Sequence, residues 1–202
     1  MAVKDQMFSE MKAVALDRLA GRDPVTIAQN AGIDYDAGQQ VFRFSSLGIC
    51  LQIAYPEYTI TPAVSGWHEL AILHYLDLAD GHPVIGKEIP FSQMRSGMVR
   101  GGGIDRKCEM QFSRMQDLCE GWLARRCEAL GGEKIESNAD VAYRIDCLPR
   151  FPVTLKVWLP DEEFPASGRL FADESADHYF TIEDAVMVAE LLLDRLTGKN
   201  HM

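Results

Sequence analysis

Strand-like runs in this chain occur in two groups that are each local in sequence, and helix-like segments separate the groups. In the first group, residues 41–44 and 49–53 flank a turn at residues 46–48. In the second group, residues 140–147 and 153–159 form another hairpin. Antiparallel strands can be joined by short turns, whereas parallel strands need long crossovers. The pattern therefore predicts an α+β fold, with an antiparallel or mixed sheet packed against several helices.

Apolar spacing of three and four residues, together with end signals, predicts five main helices. They are expected at residues 4–20, 24–31, 67–79 and 105–130, and from Thr181 to just before Gly198. Shorter elements are predicted at residues 58–61, 91–94 and 170–171. Asp184 stands three residues after Thr181, which is the spacing of a reciprocal helix cap.

The composition is that of an ordinary globular protein, with 202 residues, 47% apolar and 25% charged. This length favours one domain over residues 1–202. No stretch approaches the roughly 18 apolar residues of a membrane-spanning helix, so we expect no membrane partner. The first residues lack a secretory pattern, and a cytoplasmic location is therefore expected.

The formal net charge of −10 repels phosphate backbones. Basic residues at Arg100, 106–107 and 125–126 are interrupted by carboxylates. We therefore expect no nucleic-acid partner.

Five cysteines are scattered through the chain, and no two have C-x-x-C spacing. This arrangement disfavours a zinc ribbon or a local iron–sulfur motif and favours reduced thiols. On the predicted helix 105–130, Cys108 and Cys119 fall within an apolar stripe about 80° wide. Both are predicted to pack in the core, where cysteine behaves as a small hydrophobe.

Three consecutive glycines, residues 101–103, precede the predicted helix 105–130. They are interpreted as a loop, with Asp105 as an ordinary N-cap. A glycine-rich turn at a helix start can also bind an anion, and Arg100 and Arg106 are then the nearest donors. The segment matches neither the phosphate loop nor the dinucleotide-binding motif.

His68 and His74 lie on the same apolar helix, six residues apart. This spacing turns them about 120° away from each other, unlike a shared metal pair. Either one alone is a candidate axial ligand or proton shuttle. A histidine held by a structural hydrogen bond is the simpler interpretation.

Acidic residues are interleaved with aromatic residues in the segment from Asp161 to Phe180. Carboxylates at Asp161, Glu163 and Asp173, with the imidazole of His178, form a ligand set that a divalent metal accepts. The same carboxylates are also suited to capping turns, because Pro160, Pro165 and Gly168 make this a tight loop. Their spacing matches no established metal loop.

Several segments of the chain resemble a family called domain of unknown function 3786. The resemblance lies in residues 148–152, Trp158, residues 161–166 and 170–171 and the helix after His178, with residues 73–76, 80–81 and the Phe91 segment in the N-terminal half. It covers about residues 24–197. The family resembles part of an anaerobe's repertoire, and the resemblance therefore implies a role in anaerobic metabolism. Some members look fused to a small four-cysteine iron–sulfur domain of the kind seen with corrinoid proteins. This chain lacks such a domain.

Three functions follow as hypotheses. The first is a ligand- or cofactor-binding protein of anaerobic metabolism, for a small molecule such as a tetrapyrrole (corrinoid or haem); its candidate contacts are His68, His74, Arg100, Asp105, Arg106 and His178. The second is a metal-dependent hydrolase using Asp161, Glu163 and Asp173, with His178 as base or ligand. The third is an adaptor that binds a protein partner in a redox or one-carbon pathway.

Overall fold

A computed structural model describes residues 2–115 and 117–198, with side chains from residue 8 onward. Six α-helices lie within these residues: α1 (Ala2–Leu19), α2 (Pro24–Ala31), α3 (Gly66–Leu78), α4 (Gly97–Ser113), α5 (Glu120–Ala129) and α6 (Ile182–Thr197). The strands described are β1 (Asp34–Asp36), β2 (Val41–Ser46), β3 (Ile49–Ala54), β4 (Ile60–Thr61), β5 (Glu88–Pro90), β6 (Glu133–Lys134), β7 (Val141–Leu148), β8 (Phe151–Trp158) and β9 (Ser167–Asp173). The predicted α+β class is confirmed.

The strands form two antiparallel sheets. The first has the order β1-β2-β3-β4, and the second has the order β5-β9-β8-β7-β6. Between β2 and β3, Leu47 and Gly48 both have positive φ angles, of 48° and 76°. Such a two-residue turn matches the twist of a hairpin. Each sheet thus contains one of the two predicted hairpins, and further strands pair with its edges.

Helix α3 is the central helix of the molecule. Its residues 70–73, 75 and 76 are fully buried, and α1, α2 and α6 pack against it. A helix that is apolar on all sides is stable only inside a protein. The loop that leaves α3 therefore begins from a rigid position.

Local helix signals predict the ends of α2 and α6 well. Asp23 accepts the Thr26 N–H at 2.9 Å at the start of α2, and Thr181 accepts the Asp184 N–H at 3.3 Å at the start of α6. Gly198 ends α6 in the left-handed conformation, as a glycine after a helix commonly does. These caps confirm the predicted boundaries.

The predicted single helix at residues 105–130 is wrong. Helix α4 begins at Gly97 and ends at Ser113, and α5 begins only at Glu120. The triple glycine therefore lies inside α4, and Asp105 is not an N-cap. The reason is tertiary packing: a Cβ at Gly101 would overlap the backbone of Phe91 and Ser92. Close packing here outweighs the low helix propensity of glycine.

The prediction for the two helical cysteines is half right. Cys108 is buried in the core, and burial raises the pKa of its thiol well above the ordinary value. Cys119 is instead exposed at the N-cap of α5, because the helix that would bury it is broken at that point.

A hydrogen-bond relay connects α2, α3 and the turn between β7 and β8. The Tyr75 hydroxyl donates to the Ala31 carbonyl at 2.6 Å and accepts the Arg150 N–H at 2.9 Å. The Arg150 guanidinium then donates to the Gly81 carbonyl at 2.7 Å. The relay fixes the loop that follows α3, where the candidate site begins.

Among the described helices, none combines the length and the apolar character that crossing a bilayer requires.

Candidate functional site

A cleft of about 440 Å³ lies where the loop after α3, the segment before α4 and the start of α6 meet. We call it the His178 cleft. Its walls combine apolar and charged side chains: Leu78, Asp80, Arg95, Ser96, Asp177, His178, Phe180, Thr181, Ile182 and Glu183. Its volume is within the range of about 300–1,000 Å³ usual for small-molecule sites.

An aspartate–histidine pair stands at the edge of this cleft. Nδ1 of His178 lies 2.7 Å from Oδ2 of Asp80, and the side chain of His178 is 39% exposed. Asp80 also accepts the backbone N–H of His82 at 3.0 Å. Burial opposes ionisation of Asp80, but hydrogen bonds from these two histidines lower the pKa of its carboxyl group. Asp80 is thus a stable carboxylate partner for the His178 ring.

The ring of His82 stacks on that of His178, with 3.8 Å between ring centres and 13° between ring planes. Nδ1 of His82 lies 2.8 Å from the carbonyl of Pro83. A carbonyl and a carboxylate can accept protons only from the two Nδ1 atoms, so in a neutral ring Nε2 is the acceptor. Within the described chain, Nε2 of His178 has no hydrogen-bond partner. It is free to contact a ligand.

A backbone contact also holds part of the cleft wall. The N–H of Arg95 lies 3.1 Å from both carboxylate oxygens of Asp177. The next residue, Ser96, has a φ angle of 60°, which is uncommon for a residue other than glycine. Ser96 lines the cleft, and its side chain makes no capping bond to α4.

His68 lies elsewhere, in a buried network at 1% exposure. Its Nε2 is 2.8 Å from the Ser46 hydroxyl, and its Nδ1 is 3.3 Å from the Arg195 guanidinium. Burial, and secondarily the charge of Arg195, lower the pKa of His68 to about 4. The imidazole is neutral at pH 7, and both ring nitrogens are already bonded within the protein.

His74 connects α3 to α6. Its Nδ1 lies 2.6 Å from Oδ1 of Asp184, and the Thr181 hydroxyl donates to the other oxygen of Asp184 at 2.7 Å. His74 does not line the His178 cleft. It provides a natural comparison, because it is a second carboxylate-paired histidine outside the site.

The three candidate residues near the triple glycine lie on α4 instead of a loop. Arg100 and Arg106 are exposed. Burial raises the pKa of Asp105, and the charges of Arg169 and Arg106 oppose that rise. None of the three lines the His178 cleft.

The acidic segment caps its own turn. Oδ1 of Asp161 accepts the N–H groups of Phe164 at 2.7 Å and Glu163 at 2.8 Å. These hydrogen bonds lower the pKa of Asp161. Asp161 and Glu163 line a separate cleft of about 270 Å³, beside Ser113 and Met115 at the end of α4. The alternative interpretation of this segment as a tight turn therefore fits its geometry.

Asp173, at the end of β9, holds the segment before β5 by hydrogen bonds. Its carboxylate accepts the N–H groups of Ile85 at 3.0 Å and Gly86 at 2.6 Å, as well as the hydroxyl of Ser175 at 2.6 Å. No three histidine, cysteine, aspartate or glutamate residues in the described part of the chain are grouped to hold a metal. Asp161, Glu163, Asp173 and His178 are therefore not brought together into one ligand set.

The sequence identifies His178 as a candidate but none of its partners. It predicts no role for Asp80, His82, Arg95 or Ser96 in a site. Asp80 and His178 are 98 residues apart, and no spacing rule relates residues at that distance. The available signal was the Asp80-Gly81-His82 turn after a buried helix, because loops leaving rigid elements often carry function.

The fold and the cleft define an α+β protein of two antiparallel sheets with an aspartate-oriented histidine at an open cleft. The profile of the domain of unknown function DUF3786 matches residues 23–195, and the chain belongs to this family. No curated protein and no solved structure matches the chain.

Proposed function

We propose that this protein binds a small-molecule cofactor in the His178 cleft, with Nε2 of His178 as the contacting atom. The hydrogen bond from His178 to Asp80 carries the proposal. Histidines that ligate metals usually donate their other ring N–H to a carboxylate or a carbonyl, which fixes the ring and raises its basicity. His178 is the carboxylate-paired histidine of the cleft.

The proposed cofactor class is a tetrapyrrole, a corrinoid or a haem, whose metal accepts an axial imidazole. Two features of the cleft support this class: Leu78 is a partly exposed apolar contact, and the exposed Arg95 guanidinium has no ion-pair partner among the described residues. Phe180 and Ile182 support the cleft from the core, where each is 3% exposed. A bound tetrapyrrole would supply metal-centred chemistry of its own. The chain would supply a positioned imidazole and a cationic side chain. A role in anaerobic one-carbon or redox metabolism, with a protein partner there, belongs to this proposal.

Titration of the purified protein with haem and with cobalamin, followed by anaerobic ultraviolet–visible spectroscopy, tests the proposal. One of the two is expected to shift its absorption on binding. His178→Ala is expected to abolish the shift. Asp80→Asn is expected to weaken binding about 10–100-fold, because the carboxylate orients the His178 ring.

His74→Ala is the matched control, since it removes a carboxylate-paired histidine outside the cleft, and its spectrum is expected to follow the wild type. Circular dichroism establishes that each variant is folded. Equal binding by wild type and His178→Ala would overturn the proposal, as would the absence of binding to both tetrapyrroles.

One observation favours a second candidate function, acyl hydrolysis without a metal. Ser96 has a left-handed backbone conformation and lines the same cleft as the Asp80–His178 pair. Strained residues are concentrated at active sites, and a serine, a histidine and an aspartate can share the roles of nucleophile, base and orienting group.

A fluorophosphonate probe separates this second function from cofactor binding. If Ser96 is a nucleophile, its oxygen displaces fluoride from the probe's phosphorus, and mass spectrometry finds the adduct on Ser96. Labelling is expected to disappear in Ser96→Ala and in His178→Ala. Tetrapyrrole binding is expected to survive Ser96→Ala. Labelling that persists in Ser96→Ala, or no labelling of the wild type, contradicts the hydrolase.

A further inference from the structure

The loop between β8 and β9 exposes an aromatic side chain to solvent. Phe164 is 66% exposed, more than any other phenylalanine, tyrosine or tryptophan that the structure describes. Asp161, Glu162 and Glu163 precede it in the sequence, and Pro165 follows it. An apolar ring remains in contact with water only at a cost in free energy. The loop is therefore stabilised when another molecule covers Phe164.

Hydrogen bonds hold Phe164 in this exposed position. The Asp161 N–H donates to the Phe164 carbonyl at 3.0 Å, and Oδ1 of Asp161 accepts the Phe164 N–H at 2.7 Å. Pro160 and Pro165 flank the turn, and the ring of a proline restricts its backbone φ angle. The turn is thus ordered before any contact forms, so a partner that covers Phe164 loses little affinity to ordering the loop.

The smaller cleft of about 270 Å³ is lined by Phe164 together with Met115 and Ala166. Its volume is below the range of about 300–1,000 Å³ usual for small-molecule sites. The cleft therefore suits a side chain of another protein better than a cofactor. Phenylalanine and methionine are both enriched at protein–protein interfaces. We call Met115 and residues 161–166 the Phe164 surface.

The charge of the Phe164 surface is negative. Asp161, Glu162 and Glu163 line the cleft, and no lysine or arginine does so. Glu162 and Glu163 are exposed, and neither forms an ion pair with the part of the chain that the structure describes. Hydrogen bonds within the turn lower the pKa of Asp161, so its carboxylate is also charged at pH 7.

The surroundings of this surface are acidic even when the basic residues are included. Arg114 is exposed at the end of α4, but it does not line the cleft. Asp117 is exposed three residues later, and the carboxylate of Asp140 accepts a backbone N–H at 2.8 Å directly before the loop. Arg169 on β9 has a carboxylate neighbour of its own, Asp105. Glu162 and Glu163 are therefore left without a neutralising base.

We propose that the Phe164 surface binds a basic segment of another protein. An apolar side chain of that segment enters the cleft beside Phe164, and its lysine or arginine side chains pair with Glu162 and Glu163. Charge complementarity selects this occupant, because nucleic acid, anionic lipid and a second copy of the same surface would all bring like charges together. The surface shares no residue with the His178 cleft, so this contact is independent of the proposed cofactor.

Fluorescence anisotropy of a short fluorescein-labelled peptide that alternates arginine and leucine, added to the full chain at low salt, tests the proposal. A peptide with serine in place of leucine is expected to bind at least about tenfold more weakly, because serine leaves the cleft unfilled. Phe164→Ser is expected to weaken binding of the leucine peptide at least about tenfold, as the loss of a central aromatic contact does. Glu162→Lys and Glu163→Lys are each expected to weaken it about threefold, because each removes an ion pair at the surface.

Two exposed residues on other parts of the chain provide the matched controls. Val14→Ser removes an apolar side chain that is 51% exposed on α1, and Glu57→Lys makes the same charge change between β3 and β4. Both variants are expected to bind the leucine peptide with an affinity close to that of the wild type. Thermal unfolding shows whether each variant is folded.

A benzophenone group on the leucine peptide, followed by mass spectrometry, locates the contact. Cross-links are expected at Met115 and within residues 160–166. A peptide that does not bind the wild type would overturn the proposal, as would cross-links elsewhere, equal binding of the serine peptide, or controls that weaken binding as much as the variants of the surface. Dimerisation of the chain that Phe164→Ser abolishes would also overturn it, by assigning the surface to a second copy.

Discussion

Gly101→Ala is expected to lower the free energy of unfolding by about 3 kcal/mol, at the upper end of what overpacking costs. The added methyl group would overlap the backbone of Phe91 and Ser92, and backbone atoms cannot move aside as the end of a flexible side chain can. The same change at Gly103 is expected to act in the opposite direction. Gly103 has open space around it, and alanine in a helix interior is favoured over glycine by about 1 kcal/mol.

Urea denaturation of both variants, followed by circular dichroism, measures the two effects. The two residues are two positions apart on one helix, so each is the control for the other. Equal effects of the same sign would contradict the distinction between a packed glycine and an open one.

Acid is expected to destabilise the protein through His68. In the unfolded chain its pKa is about 6.5, whereas burial lowers the pKa to about 4 in the folded state. Between these two values the unfolded state binds more protons, so stability is lost as the pH falls from about 6.5 to 4. A difference of this size corresponds to about 3 kcal/mol from this one residue.

His68→Gln isolates this contribution, because an amide can still donate to Ser46 but does not titrate. We expect the variant to be less stable than the wild type at pH 7. The difference between the two is expected to shrink by about 3 kcal/mol as the pH is lowered to 4. Carboxylates titrate in both proteins and cancel in the comparison. If the difference in unfolding free energy between the two proteins stays constant from pH 7 to 4, His68 has the same pKa in the folded and unfolded states. That result would contradict the prediction.

Local signals in the sequence predict much of the fold. Asp23 and Thr181 cap helices through residues only three positions away, and the turn at Leu47-Gly48 defines a hairpin by itself. These interactions depend on neighbours in the chain, and simple spacing rules capture them. The α+β class follows from the order of such elements.

The break between α4 and α5 illustrates what local signals miss. Residues 105–130 have a helical pattern throughout, yet α4 starts eight residues earlier and ends at Ser113. The contact of Gly101 with the Phe91 backbone places the helix there, and that contact depends on the tertiary fold. The exposure of Cys119 follows from the same cause.

The candidate site was predictable only as separate residues. His178 stands out in the sequence as a histidine in an acidic, aromatic segment, but the turn that presents Asp80 to it lies 98 residues away. For Asp161 and Asp173, the residue types in the sequence fit a metal site and a capped turn equally well. Their hydrogen bonds to backbone N–H groups can be read only from the structure.

The Asp173 carboxylate lowers the tendency of the protein to aggregate at high concentration. By holding Ile85 and Gly86, it keeps the three-residue strand β5 over the outer edge of β9. An uncovered β9 would present unpaired backbone groups, which is the surface through which sheets of separate molecules join and aggregate. Strand β5 ends in Pro90, which cannot donate a hydrogen bond to a further strand. A single buried carboxylate thus protects this edge of the larger sheet against edge-to-edge association.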